Sequence, residues 1–359
     1  MKIVHVLAYY GDYLGGLQNY VKELAKRQKA EGHDVKIITS NLYGKQKKID
    51  GIKIIRCKAW FSAFRTPFMP SLPFKLLKEK CDVIHAHLPS PGLDLSVAFK
   101  KIINPETKLV ITIHNYAPKT TLMKKIFSFI NDHILIKPAL RRANNIIITS
   151  KGFANSLNYK FNKNKLSIIP LGVDLNKFKP TNKYDKNQIL FVGRLIPEKG
   201  LHILVNAMKI VNKKYKDVQL LAIVSEVYGG FNKYEEEVKE EGKGFLQIIK
   251  NVSYDKIPKY YQDSNLFVMP SLDIDSFGFV LIEAMACGCP VISSDLPGPS
   301  SIVNKKVGLV VKKGNVEETA KAIMNLLDKR ELRNNCRRYV EDNFNWNKIN
   351  KTILRVYGK

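Results

Sequence analysis

An α/β chain of two doubly wound domains is what the sequence predicts, on three observations. Short β-rich runs alternate with longer amphipathic stretches throughout, the pattern of parallel sheets covered by helices. At 359 residues and 45% hydrophobic content the chain exceeds one small core and supports two of ordinary size. A fresh series of strands begins after residues 172–187 (GVDLNKFKPTNKYDKN), which are polar, carry a proline and lack periodicity, as a linker does.

The first series comprises residues 2–7 (KIVHVL), 34–40, 51–57, 82–87 (DVIHAH), 108–114 (KLVITIH), 144–150 and 166–170. The second comprises 188–194 (QILFVGR), 218–224, 245–251, 265–271 (NLFVMPS), 290–295 and 308–311. The expected domains are therefore 1–172 and 173–342, each Rossmann-like, with helical sequence at about 343–359. Ligands of such sheets sit outside the carboxyl ends of the strands, so the polar residues there are the candidates for chemistry.

Composition adds a strong bias. The chain carries 59 Lys+Arg against 32 Asp+Glu, a net charge of +27. Residues 1–180 hold 31 bases and 11 acids, so +20 of that charge belongs to the first half. Such a field attracts nucleic acid, an anionic membrane surface or a phosphorylated substrate, and a generally lysine-rich surface is the plainer alternative. The five cysteines are odd in number and scattered, with no Cys-x-x-Cys pair and no secretory signal read ahead of them, so a reduced, intracellular protein is expected. No apolar run is long enough to span a bilayer, and membrane contact is expected to be peripheral.

Several motifs fall at the strand ends. Gly15 and Gly16 follow the first strand and precede a helix starting near Leu17, where a glycine pair lets backbone approach a phosphate or sugar; a plain tight turn is the alternative. The spacing is not the Gly-x-Gly-x-x-Gly dinucleotide fingerprint, which argues against a dehydrogenase. His85 and His87 point the same way in one strand, so a metal pair is conceivable, but no nearby carboxylate or cysteine completes a set. His114, with Asn115, stands at a strand tip suited to binding or proton handling; a hydrogen-bonded structural histidine is the alternative.

The second half holds FVGRLIPEKG (191–200), which ends a strand on Arg194 and sets Lys199 near the next helix. A guanidinium and an ammonium there can neutralise a departing diphosphate. Downstream, DSFGFVLIE (275–283) places Asp275 before a loop of Ser276, Phe277 and Gly278, and Glu283 one turn inside a helix expected from Phe279 to Cys287. The two acids straddle a helix N-terminus, an anion site. Asp273 and Asp275 form an Asp-x-Asp triplet of the kind that can hold a divalent cation; the metal-free reading is favoured. Two first-half stretches, 60–80 and 119–142, mix bases with aromatics; in the second, Leu122, Ile126, Phe129, Ile130 and His133 recur at helical spacing, as in helices lying in a membrane interface. Burial of that stripe within its own domain is the alternative. No pattern of an RNA- or DNA-binding module is present, and nucleic acid is not an expected partner.

The order of the glycine pair, HAH, TIHNY, LGVD, FVGRLIPEKG and PSLDIDSFGFVLIEAMACGCPVISSD resembles the family 4 retaining glycosyltransferases of GT-B fold, over nearly the whole chain. The resemblance implies two Rossmann-like domains facing across a cleft, the first binding acceptor and the second nucleotide sugar, with the C-terminal helix crossing back to the first. It implies that Asp275 bonds the transferred sugar and Glu283 the ribose hydroxyls, while the backbone from Phe277 to Phe279 faces sugar and diphosphate. Arg194 and Lys199 would hold the diphosphate, Gly15 and Gly16 would approach it, and His114, with His87 and Asn115, would contact sugar or acceptor. The family generally needs no cofactor or metal, the donor being a UDP or GDP type sugar.

Three positions depart from the family pattern. Asp275 stands where Glu is usual, SEVYGG (225–230) replaces a Gly-x-G turn, and Ser301 in GPSSIV (298–303) replaces Glu. The expectation is a cytoplasmic enzyme, peripheral at the inner face of the cell membrane, moving a sugar from a nucleotide-diphosphate donor to a lipid-linked or glycan acceptor. The alternatives are a basic nucleic-acid- or membrane-binding protein on an inactive scaffold of this fold, and a nucleotide-sugar 2-epimerase.

Overall fold

In the computed structural model the described residues are 1–11, 15–63, 66–115, 122–157, 159, 162–181, 187–225, 232–273 and 275–358. Ile274 of the acidic triplet, the SEVYGG turn beyond Ser225 and Lys119 lie outside them, as do the side chains of Leu122, Lys124, Lys125 and His133. The chain divides into two units, Met1–Leu171 with Trp346–Lys359, and Gly172–Asn345.

The first unit contains strands β1 (Lys2–Val6), β2 (Asp34–Ser40), β3 (Lys48–Ile49), β4 (Ile52–Cys57), β5 (Phe61–Ala63), β6 (Thr66–Phe68), β7 (Val83–Leu88), β8 (Lys108–Ile113), β9 (Asn145–Ile148) and β10 (Leu166–Ile168). Its main sheet runs β10-β9-β8-β7-β1-β2-β4-β3, parallel except for the β3/β4 pair. Strand order reverses between β1 and β7, so the carboxyl ends of those two strands flank the crevice where doubly wound sheets take ligands. The hairpin β5/β6 is separate, and the sequence pattern did not predict it.

Period-two alternation sorts the central strands. Val4, Val6, Ile84, Ala86, Leu88, Ile111 and Ile113 join one core with Leu93 and Val97 of the helix Leu93–Ile103. Each fully buried Val, Leu or Ile among them contributes about 1.5–3 kcal/mol. The same alternation sends His5, His85, His87 and Thr112 to the opposite face, where residues of the helices Gly16–Ala30 and Trp346–Gly358 meet them. The terminal helix is fastened to Gly16–Ala30 by Trp346 against Tyr20 (centroids 5.3 Å apart), Arg27 over the Trp346 ring and Asn350 donating to Glu31.

The basic stretch at 119–142 buries Ile136, Ala139 and Leu140 in the core of the first unit, but leaves several apolar residues before them exposed. In the helix Leu122–Ile130 and the π-helical turn Asn131–Leu135, Ser128 and Asn131 are fully buried while Met123, Ile126, Phe129 and Ile134 are 53–69% exposed. Ser128 and Asn131 thus face inward, and Met123, Ile126, Phe129 and Ile134 outward.

The second unit contains β11 (Gln188–Arg194), β12 (Gln219–Ser225), β13 (Leu246–Lys250), β14 (Leu266–Met269), β15 (Val291–Ser294) and β16 (Gly308–Val311). They form one parallel sheet, β13-β12-β11-β14-β15-β16, whose order reverses between β11 and β14. Leu201, Leu204 and Val205 from the helix Leu201–Lys214 pack with Ile189, Phe191, Leu220, Ala222 and Val268 in its core.

All five cysteines are free thiols, and four of them are buried. Among the described residues no helix is long and apolar enough to cross a membrane.

Candidate functional site

In the second unit the reversal of strand order brings together the segments singled out in the sequence. Arg194 is the last residue of β11, in register with Ser225 of β12. The chain then makes a 3₁₀ turn, Pro197–Lys199, closed by Gly200 in the left-handed region at φ 73°. A Cβ on Gly200 would stand 2.0 Å from the Pro270 carbonyl oxygen, so glycine is required for the turn to rest on the loop after β14. Leu272 N–H donates to the Glu198 carbonyl at 2.8 Å and fastens the same two loops.

Lys199 Nζ lies 2.7 Å from Asp275 Oδ2, with about a fifth of each side chain exposed. An ion pair of that exposure contributes at most about 1 kcal/mol to stability. Its larger effect is positional, since it holds an ammonium and a carboxylate at one strand edge. One oxygen of the Asp-x-Asp triplet is thereby engaged by a cation rather than left for a metal.

Beyond Asp275, Ser276 is half-buried and Phe277 is buried edge-on against Phe344, so it is the backbone here, not the phenyl ring, that can meet a ligand. Gly278 (φ 88°) caps the helix Phe279–Ala286, and the helix dipole places its positive pole beside Ser276 and Asp275. Gly298 supports this loop from below: a Cβ there would stand 2.2 Å from Ser276 and 2.4 Å from the Asp275 carbonyl. Ser301, the departure from the family pattern, is exposed and donates to the Gly298 carbonyl at 2.6 Å.

Glu283 is 2% exposed. Tyr254 donates to one carboxylate oxygen at 2.6 Å and Tyr261 to the other at 3.2 Å. Burial pushes its carboxyl from the ordinary 4.5 to about 7, against the two phenolic hydrogen bonds, which favour the charged form. Half-buried Tyr254 covers it, and Lys177 Nζ sits 3.8 Å from the Tyr254 ring centroid.

In the first unit, Gly15 is the N-cap of the helix Gly16–Ala30. No described atom lies within 4 Å of a Cβ built on Gly16, so the packing of the described residues does not itself demand glycine there. His114 follows β8, anchored by its N–H to the Leu88 carbonyl, with exposed Asn115 next to it. His87 Nδ1 lies 3.0 Å from His114 Nε2, and His87 Nε2 lies 3.0 Å from His5 Nδ1. His5, absent from the sequence-based candidates, completes a three-histidine group with His85 and His87, whose nitrogens lie within 4.8 Å of one another. That spacing suits a metal, but all six nitrogens are already engaged by one another, Gln28, Tyr357, Thr112 and His114.

Two family models match in succession, Glycosyltransferase Family 4 over residues 14–177 and Glycosyl transferases group 1 over residues 173–343. The chain belongs to glycosyltransferase family 4. Its fold is GT-B. This glycosyltransferase is 28% identical to an uncharacterized glycosyltransferase, MJ1178, of Methanocaldococcus jannaschii, over 99% of this chain and 98% of that protein. It is 26% identical to the phosphatidyl-myo-inositol mannosyltransferase of Mycobacterium leprae, over 99% and 96%. The crystal structure of Anabaena Alr3699/HepE in complex with UDP and glucose aligns with a TM-score of 0.81 at 19% identity and 100% coverage of both chains, a likeness of fold.

Proposed function

We propose that this glycosyltransferase transfers a hexose, with retention of anomeric configuration, from a UDP or GDP type sugar to a lipid-linked or glycan acceptor, without a bound metal. The observation that carries the reading is the meeting of Lys199 with Asp275, at the reversal point of the second sheet and beside the N-terminus of the helix that bears Glu283. Cations, helix amides and carboxylates are the groups that a diphosphate flanked by sugar hydroxyls requires.

In this mechanism Arg194, Lys199 and the first N–H groups of Phe279–Ala286 neutralise the charge that grows on the diphosphate as the glycosidic bond breaks. Asp275 accepts from hydroxyls of the transferred sugar. Glu283, held by Tyr254 and Tyr261, accepts from the ribose. His114 and Gly16 of the first unit serve the sugar and the diphosphate. The name of the mycobacterial relative and the outward apolar residues of Leu122–Ile130 favour a lipid acceptor at an anionic, cytoplasmic membrane face.

The experiment is incubation of the full chain with UDP and GDP sugars and with lipid-phosphate or oligosaccharide acceptors, in excess chelator, followed by NMR of the product. An acceptor-dependent α-linked product from an α-linked donor supports the reading. Epimerised donor without acceptor consumption, an inverted product or an absolute metal requirement contradicts it.

A further inference from the structure

The outer edge of the first unit's main sheet holds a basic cavity. β3 covers β4 only at Ile52 and Lys53. Residues 44–47 run beside the next part of β4, where the Lys47 carbonyl accepts from Ile54 N–H at 2.8 Å and the Gln46 carbonyl from Arg56 Nε at 3.1 Å. Arg56 also donates to the carbonyls of Ser40 and Tyr10, which fixes its guanidinium between strand and loop. Lys45, Lys47, Lys53 and Arg56 line a cavity of about 510 Å³ here, over Ile54 and Ile55, with Glu79 entering from the C-cap of the helix Leu72–Lys78. Small-molecule sites occupy about 300–1,000 Å³. The cavity borders β4, two strands from β1, and is therefore separate from the crevice between β1 and β7.

The described residues leave this charge unbalanced. Strand register sets Lys53 abreast of Lys36 on β2 and of Lys48 on β3, three ammonium groups in one row. Like charges directly opposite each other destabilise a sheet. The one carboxylate among the residues lining the cavity is Glu79, and its Oε2 is engaged by Lys36 Nζ at 2.7 Å. Asp50, in the turn between β3 and β4, is paired instead with Lys22 at 3.6 Å. Among the described residues no acid pairs with Lys45, Lys47, Lys48 or Lys53. Lysine on an edge strand commonly guards it against pairing with another chain. That purpose does not account for cations gathered around one hollow, beside a stretch of β4 whose Ile54 N–H is already bonded to Lys47. An anion in the cavity turns the repulsion into attraction.

We propose that this cavity binds a phosphate-bearing ligand of two or more negative charges, supplied by a phospholipid headgroup or by a soluble phosphate compound. Arg56, held by the Gln46, Ser40 and Tyr10 carbonyls, gives the wall a fixed positive charge. Lys45, Lys47 and Lys53 close on the phosphate as mobile ammonium groups. Ile54 and Ile55 meet whatever apolar part the ligand carries. No residue lining the cavity belongs to the transfer machinery described above, so the site does not depend on the proposed function.

Calorimetric titration of the full chain with inorganic pyrophosphate tests the assignment. The parent is expected to bind it in this cavity and, separately, at Arg194 and Lys199 of the second unit. Lys47→Gln with Lys53→Gln should weaken the first event roughly tenfold or more, the worth of a charge-assisted hydrogen bond, and leave the second intact. Lys199→Ala should do the reverse. Both lysines are exposed, so the double variant should melt without anion at the parent's temperature or above it, relieved of like charges. Co-sedimentation with phosphatidylcholine vesicles, with and without phosphatidic acid, separates the two sources. Loss of the phosphatidic acid-dependent fraction in the double variant identifies a lipid headgroup. Equal sedimentation beside weakened pyrophosphate binding identifies a soluble compound. Pyrophosphate binding by the double variant that matches the parent in both stoichiometry and affinity overturns the proposal and leaves the lysines as guards of the edge. If pyrophosphate binds in the cavity alone, the proposal stands and the failure lies with the second-unit donor site.

Discussion

Lys199 Nζ and Asp275 Oδ2 stand 2.7 Å apart although 76 positions separate them in the chain. Their meeting follows from the sheet order, since β11 and β14 are neighbours and both loops leave from the same edge. Gly200 against Pro270 and Leu272 bonded to Glu198 then hold the loops to each other. The pair is expected to serve catalysis far more than folding. Lys199→Ala should lower kcat by about 10²-fold or more while shifting stability by no more than about 1 kcal/mol; steady-state kinetics beside a denaturant titration measure both.

Three glycines test which parts of the candidate site are built by packing. Gly200→Ala and Gly298→Ala each drive a Cβ to within 2.4 Å of backbone, so both should destabilise the fold and impair activity. Gly16→Ala meets no described atom within 4 Å. Its melting temperature should match the parent or exceed it, while donor affinity falls.

Glu283 gives a signed pH dependence. Below about pH 4.5 its carboxyl is protonated in both folded and unfolded chains and imposes no penalty. As pH rises the unfolded chain ionises first, so stability is lost until the folded group ionises near pH 7. Glu283→Gln should therefore be more stable than the parent above pH 7, by roughly 3 kcal/mol at most. The difference should vanish toward pH 4.5, while nucleoside diphosphate binding by the variant is weakened. Denaturant midpoints across pH 4.5–8 read the first effect and calorimetry the second.

The outward apolar face of Leu122–Ile130 predicts membrane binding. Ile126→Asp with Phe129→Asp should abolish co-sedimentation with anionic phospholipid vesicles and leave the melting temperature unchanged, because both side chains are more than half exposed. Undiminished sedimentation would place the lipid contact elsewhere.

Much of the fold was legible because it depends on local pattern. Alternating apolar residues marked β7 and β8, and Gly278 marked the start of the helix at Phe279. The likeness of His85 and His87 in direction followed from the period of a strand. His5 was missed because a lone histidine in an apolar strand reads as core, and its partners are set by the register of β1 on β7, some 80 residues apart. Gln28 and Tyr357 gave no signal at all, being ordinary helix residues until tertiary packing brings them to the same rings. The basic stretch at 119–142 displayed its helical period, but not which way the apolar side faces. That depends on Ser128 and Asn131 being buried. The β5/β6 hairpin lacked an Asn-Gly or Asp-Gly turn to announce it.

The measurement that bears most directly on leaving-group capture at the edge of the second sheet is the turnover of Arg194→Ala, with the sugar nucleotide that the parent uses and with chelator present. A loss of at least about 10²-fold in kcat, with the melting temperature retained, is the predicted result. Turnover close to that of the parent would contradict it.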